Sequence, residues 1–286
     1  MRDPAITTSP SPASAATARP LGNGAWLDSG LVTVLVPLLA LVLKLLLWEW
    51  VVQANEIPPY KLPAPSMIAK TLVADWHVLF PSFLVTMKIT LLSLMTAVIS
   101  GVLLAIAFTR SRMVELSFTD VVVFLQVTPL IAIAPLLIIY FGDTATVYIA
   151  ATIVAFFPIL SNTMTGLRST DHGLVNLFDL YGAGGLQRLT VLQLPNALPY
   201  FLTGLRIASG LALIGAIVAE FVAGSAGQGS GLAFRIVESG YRLNIPRMFA
   251  SLILVSLAGV ILYFTFAYLS HMALRKWHES AVKREN

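Results

Sequence analysis

The sequence predicts an all-α integral membrane protein of about six transmembrane helices. Two observations carry this. The 286 residues are 57% hydrophobic and only 11% charged, with a mean hydropathy of +0.83, whereas soluble domains are roughly half apolar and a quarter charged. The apolar residues also fall into runs of about 20, the length that crosses a hydrocarbon core of about 30 Å.

The first 28 residues, rich in Ala, Ser, Thr and Pro, read as a disordered cytoplasmic tail and not a signal peptide, because the apolar run that follows is too long and lacks a cleavage site. That run, 31–52, would rise about 33 Å as a helix and is interrupted by Lys44. The prolines of 56–66 suit an extended, partly rigid connection. Further spans are predicted at 83–108, which contains Lys88, then at 121–141 and 147–167. A long loop over 171–195 precedes the fifth span at 198–222. The glycine-rich stretch 224–231 lacks the lysine of a phosphate-binding loop and the strand that should precede a nucleotide fingerprint, so it reads as a flexible turn. The last span covers 249–272, and 276–286 form a basic tail. Residues 29–275 thus make one transmembrane domain.

Arg and Lys beside the spans set the orientation. With the N-terminus inside, Arg2, Arg19, Arg110, Arg112, Arg168, Arg188, Arg275, Lys276, Lys283 and Arg284 are cytoplasmic. Lys61, Lys70, Arg235, Arg242 and Arg247 are external. The excess of about two to one favours cytoplasmic termini at both ends.

Composition also excludes chemistry. The chain has no cysteine, which removes disulfides, thiolate metal sites and cysteine nucleophiles. His77, His172, His271 and His278 share no ligand-like spacing, so no metal site is predicted. Basic residues are scattered singly and form no nucleic-acid patch. No nucleophile, base and orienting group stand together, so no catalytic residue is assigned.

The loop between spans four and five carries the most information. Asp171 is placed to cap a short helix whose Leu174, Leu177, Phe178 and Tyr181 share a face. Gly182 then stops it. A second stretch sets Leu186, Leu189 and Leu192 at helical spacing before Leu194-Pro195 and Pro199. Two short helices around a glycine turn are expected outside the bilayer, with an apolar face that rests on headgroups, the bundle or a partner.

Gly182-Ala183, followed at fixed spacing by Leu192-Gln193-Leu194-Pro195, resembles the cytoplasmic coupling loop of binding-protein-dependent ABC importer permeases. Asn176-Leu177-Phe178 stands where that family carries Glu-Ala-Ala, so its acidic contact is missing here. Leu62-Pro63-Ala64-Pro65-Ser66, Leu125 to Pro129, Thr203-Gly204-Leu205-Arg206 and Ala219-Glu220 extend the likeness to the nitrate, sulfonate, taurine and pyrimidine-precursor branch. It covers most of the chain after about residue 30.

The resemblance implies a type I importer permease fold in the bacterial inner membrane. It also implies a second permease chain, a homodimer by expectation, a cytoplasmic ATPase dimer that holds ATP and Mg, and an extracytoplasmic substrate-binding protein. The chain itself would bind no cofactor and hydrolyse nothing. Asn176, Leu177, Phe178, Tyr181, Gly182, Ala183, Leu194 and Pro195 would form the ATPase-coupling site. Gln126, Thr128, Asn162, Arg206, Ser209 and Glu220 are the candidates for the translocation path. Each has a second reading as interhelical glue, headgroup anchor or internal hydrogen-bond partner. The cargo would be a small solute, either a sulfonate- or nitrate-like anion or a pyrimidine-like heterocycle. An ion-coupled secondary transporter is the competing class; it should carry a repeated half, and the first and last three spans show none.

Overall fold

The computed structural model describes residues 30–223 and 230–275, all helices and short connections. The tails 1–28 and 276–286 and most of the glycine-rich turn lie outside the described residues. The chain divides into two compact units at Val51 and Val52.

The first unit holds most of α1 (Gly30–Ala54). Leucine and valine occupy nearly every side of it, and Leu35 through Leu47 are largely exposed. An all-round apolar helix suits lipid.

In the second unit, the proline-rich connection is not extended. Lys61 and Leu62 both donate to the Pro58 carbonyl, and Pro65 opens α2 (Pro65–Ala74) at a first-turn position. There its missing N–H costs no hydrogen bond. The long α3 (Trp76–Arg110) buries Thr86, Thr90, Ser93, Ala97, Gly101 and Ala105, a stripe of small residues at three- and four-residue spacing. Small side chains let helix backbones approach closely in a membrane.

The expected third span is two helices, α4 (Arg112–Val127) and α5 (Leu130–Phe141), bent by 104°. The cause is local. Pro129 forces the residue before it out of the helical region, and Thr128 accordingly sits at φ −72°, ψ 123°.

Three helices form the core: α3, α6 (Asp143–Arg168) and α9 (Leu194–Ala223). Leu94 and Ala97 of α3, Ala155 and Ile159 of α6, and Ala208 and Ala212 of α9 make one buried cluster. The α6–α9 contact is close enough that a Cβ on Gly204 would stand 2.8 Å from the Pro158 carbonyl oxygen. The last helix, α11 (Ile245–Leu274), adds Ala258 and Leu262 against Leu213.

Between α6 and α9 lies α7 (His172–Leu180), then one turn of α8 (Gly185–Arg188) and a π-helical turn at Leu189–Gln193. The second loop helix expected from sequence is therefore not separate. It runs through the π-turn into α9, making one apolar segment of 39 residues from Gly185 to Ala223. The ring of Pro195 would collide with the carbonyl four residues back in a regular helix. The wider turn, in which Leu194 N–H bonds the Leu189 carbonyl, relieves that collision. One amphipathic helix, α10 (Leu232–Tyr241), was not predicted between spans five and six. Among the described residues, five helices are long and apolar enough to cross a membrane, and six if the α4–α5 pair counts as one span.

Candidate functional site

The α7 loop is held by chemistry that its sequence specifies. Asp171 Oδ1 accepts from the N–H groups of Gly173 at 2.5 Å and Leu174 at 3.3 Å, satisfying donors that a helix start leaves unpaired. At the other end Gly182 adopts φ +69°. Ala183 N–H donates to the Phe178 carbonyl at 2.9 Å and Gly182 N–H to the Asp179 carbonyl at 3.1 Å. That pair of bonds is the Schellman closure, which needs a left-handed residue at the position of Gly182.

The apolar face of α7 is open. Leu174 and Leu177 are exposed, and Leu180 and Tyr181 are 84% and 85% exposed. Asn176 is exposed too, while Phe178 and Ala183 are half-buried. Leu194 and Pro195 stand at the start of α9, half-buried, with Leu194 packed against the cluster of Leu160, Leu167, Leu189 and Ala197. The structure thus separates the predicted coupling residues into an exposed helix face and a buried root.

Several contacts brace the loop and the helix ends around it, and sequence reading did not single them out. Arg188 pairs with Asp179 at 3.1 Å across the glycine turn. Arg110, at the end of α3, donates to the Gly185 carbonyl at 2.6 Å. Glu115 receives Arg168 at 2.9 Å and Arg112 at 3.0 Å, joining α4 to the end of α6. The Asn196 amide donates to Ser169 Oγ at 3.1 Å and the Gly166 carbonyl at 3.3 Å. Only Asp179 and Arg188 carried a sequence signal, as opposite charges on either side of a predicted turn.

Of the residues predicted for a translocation path, the structure gathers three. Gln126, Thr128 and Asn162 line one cavity of about 490 Å³ with Ser161, Phe157 and Pro158. It forms where the α4–α5 break meets α6 and α9. The Asn162 amide donates to the Pro158 carbonyl at 2.9 Å, and the Thr128 hydroxyl to the Phe124 carbonyl at 2.7 Å. Among the described residues, its lining includes no charged side chain.

The other three lie elsewhere. Arg206 is two residues beyond Gly204, hence about 200° around α9 from the α6 contact, with its guanidinium carbon 6.0 Å from the Tyr263 ring centroid on α11. Ser209 is 1% exposed and donates to the Arg206 carbonyl at 2.8 Å. Glu220 is 3% exposed and accepts from the Ala233 N–H at 3.1 Å.

Comparison with known proteins shows the family of the chain. Residues 97–276 match the family described as binding-protein-dependent transport system inner membrane component. A probable ABC transporter permease protein of Haemophilus influenzae is 30% identical over 241 residues, 84% of this chain and 97% of the relative. The formylaminopyrimidine transport permease protein of Halalkalibacterium halodurans is 33% identical over 79% of this chain and 90% of its own length. The taurine transport system permease protein of Escherichia coli is 28% identical over 87% of this chain and 89% of its own.

Proposed function

Because the chain belongs to the binding-protein-dependent transport system inner membrane component family, we propose that its α7 loop docks on a cytoplasmic ATPase and that the cavity at the α4–α5 break is its share of the solute path. The observation that carries this reading is the exposed apolar face of Leu174, Leu177, Leu180 and Tyr181 on a helix too short to span. A bare apolar face rimmed by polar groups marks an interaction surface, and an amphipathic helix laid into a groove is a recurring way to cover one.

In this proposal ATP and Mg act on the partner ATPase, and this chain neither binds nor hydrolyses ATP. A second copy pairs with it, and an extracytoplasmic binding protein delivers the solute. The membrane is the bacterial inner membrane, with both termini cytoplasmic, in line with the excess of Arg and Lys on that side. Closure of the ATPase pushes the loop, and the spans switch between two access states by rigid-body movement. Asn176, where the resemblance places an acidic residue, leaves docking to apolar contact more than to charge.

The cargo favoured by the cavity is a small heterocycle of pyrimidine type. Amides and hydroxyls of Gln126, Asn162 and Ser161 beside the ring of Phe157 offer hydrogen bonds and an aromatic face. A sulfonate would call for a cation, and the described residues of the lining include none. A pyrimidine-transport permease also stands among the relatives.

The test is uptake by the assembled transporter. Phe178→Asp should abolish copurification of the ATPase and ATP-dependent uptake, with membrane insertion unchanged. Normal uptake by this variant would sink the docking proposal. Uptake that persists without ATP but collapses with the proton gradient would favour a secondary carrier.

A further inference from the structure

Glu220 is a buried carboxylate that the proposed path does not use. It lies in the last turn of α9, and its partners are backbone N–H groups: Ala233 at 3.1 Å, with Gly231 donating as well. On the facing side Thr86 of α3 accepts from the Leu232 N–H at 2.9 Å. Side-chain oxygens from two different helices therefore satisfy the first donors of α10. That is the work of an N-cap residue, performed here from outside the helix.

The fit is tight. A Cβ on Gly231 would overlap both the Glu220 carboxylate and the Thr86 hydroxyl, so the backbone enters α10 by passing between them. One turn back on α3, Ser82 accepts from Arg235 Nε at 2.9 Å, and Arg235 in turn pairs with Glu238 at 2.9 Å. Thus α3 grips α10 at two points, while Glu220 is the grip from α9.

That helix is also the one the loop feeds. It continues from the α8 turn at Gly185 and then runs from Leu194 to Ala223, the latter stretch alone about 45 Å at 1.5 Å per residue. Its root packs through Leu194 on the cluster that includes Leu189 of the loop and bonds through Asn196 to the end of α6, where the loop begins, and its far end carries Glu220. We propose that Glu220 is a positioning residue that hands displacement of α9 to α10, so that movement of the α7 loop at one end of the bundle reorients an amphipathic helix at the other. This rests on the coupling reading above. A carboxylate suits the task because it accepts more than one N–H at a positive helix end, so α10 follows it without a covalent link.

The absence of cysteine makes a site-specific reporter simple. Tyr241, at the end of α10 and 88% exposed, is replaced as Tyr241→Cys in the complete transporter with its ATPase and binding protein in liposomes. Maleimide labelling is then compared with and without ATP trapped by vanadate, alongside solute moved per ATP hydrolysed. ATP trapping should change the labelling rate. Glu220→Ala should abolish that change and lower solute per ATP at least about fivefold, the lower end of typical coupling between sites. Glu220→Gln, which keeps an acceptor for Ala233, should retain most of both. Thr86→Val should loosen α10 from the other side and carries the test if Glu220→Ala fails to assemble.

A full labelling change and normal coupling in Glu220→Ala, or in Thr86→Val should the former not assemble, would overturn the proposal. So would the same loss in Glu220→Gln as in Glu220→Ala. Phe178→Asp separates the two readings, since it leaves the α10 contacts intact: normal uptake there removes the coupling reading, whereas normal coupling in Glu220→Ala removes this one.

Discussion

Gly182 and Gly166 are glycines for opposite reasons. Gly182 has φ +69° and no atom within 4 Å of where a Cβ would stand, so conformation alone requires it. Gly166 has ordinary torsions, but a Cβ there would lie 2.8 Å from the Ala197 Cα, so space requires it. The two predict different failures. At Gly182, Asn tolerates the left-handed region whereas a β-branched residue does not. Gly182→Asn should keep most uptake, and Gly182→Val should destabilise the loop by ~1–2 kcal/mol, seen as faster proteolysis at the loop with insertion unchanged. Gly166→Val should instead part α6 from α9 and cost ~1–3 kcal/mol of overpacking, seen as a lower melting temperature in detergent. Gly182 was legible in sequence because it follows an amphipathic run with an N-cap. Gly166 was not, because the atom it makes room for belongs to another helix.

Elements were legible where hydropathy alone defines them and illegible where a proline or a distant partner does. The apolar run over 121–141 reads as one span, yet Thr128-Pro129 turns it through 104° and so opens the cavity lined by Gln126 and Asn162. The pattern Leu186, Leu189, Leu192 reads as a separate helix, whereas the π-turn carries it past Pro195 into α9. For α10 the amphipathic pattern is in the sequence but its start is not: it is capped by Thr86 and Glu220, residues of other helices, and not by its own N-terminal sequence. At this scale the attachment of the loop is the testable feature. Arg110 holds the Gly185 carbonyl at 2.6 Å, an exposed charge-assisted bond that contributes ~1 kcal/mol. Arg110→Ala should leave α7 formed but less firmly anchored. The ATPase should still copurify, while uptake per ATP falls; an unchanged ratio would show that the anchor is dispensable.

At the scale of the whole unit from Val52 onward, the core belongs to α3, α6 and α9, and α4 and α5 take almost no share in it. None of the described side chains of α4 is buried, and Ala134 is the one buried in α5. Exposed leucines and phenylalanines alone would not call for a partner, since lipid tails are as apolar as they are. Gln126 changes the argument. It is exposed within 121–127, the apolar stretch that ends α4, beside a cavity with Asn162 and Ser161 in its wall. Uncovered polar groups in hydrocarbon cost several kcal/mol, so this face suits a water-filled path closed by a second copy better than it suits lipid. A path formed between two such faces would place Gln126 of one chain opposite its counterpart. Because the chain has no cysteine, single substitutions Gln126→Cys and Val127→Cys, treated with a short bifunctional maleimide in membranes, should yield a covalent dimer. Leu252→Cys on α11, exposed but outside the cavity lining, should not. A dimer formed equally from all three positions, or from none, would remove the shared path at this face and move the pairing surface elsewhere.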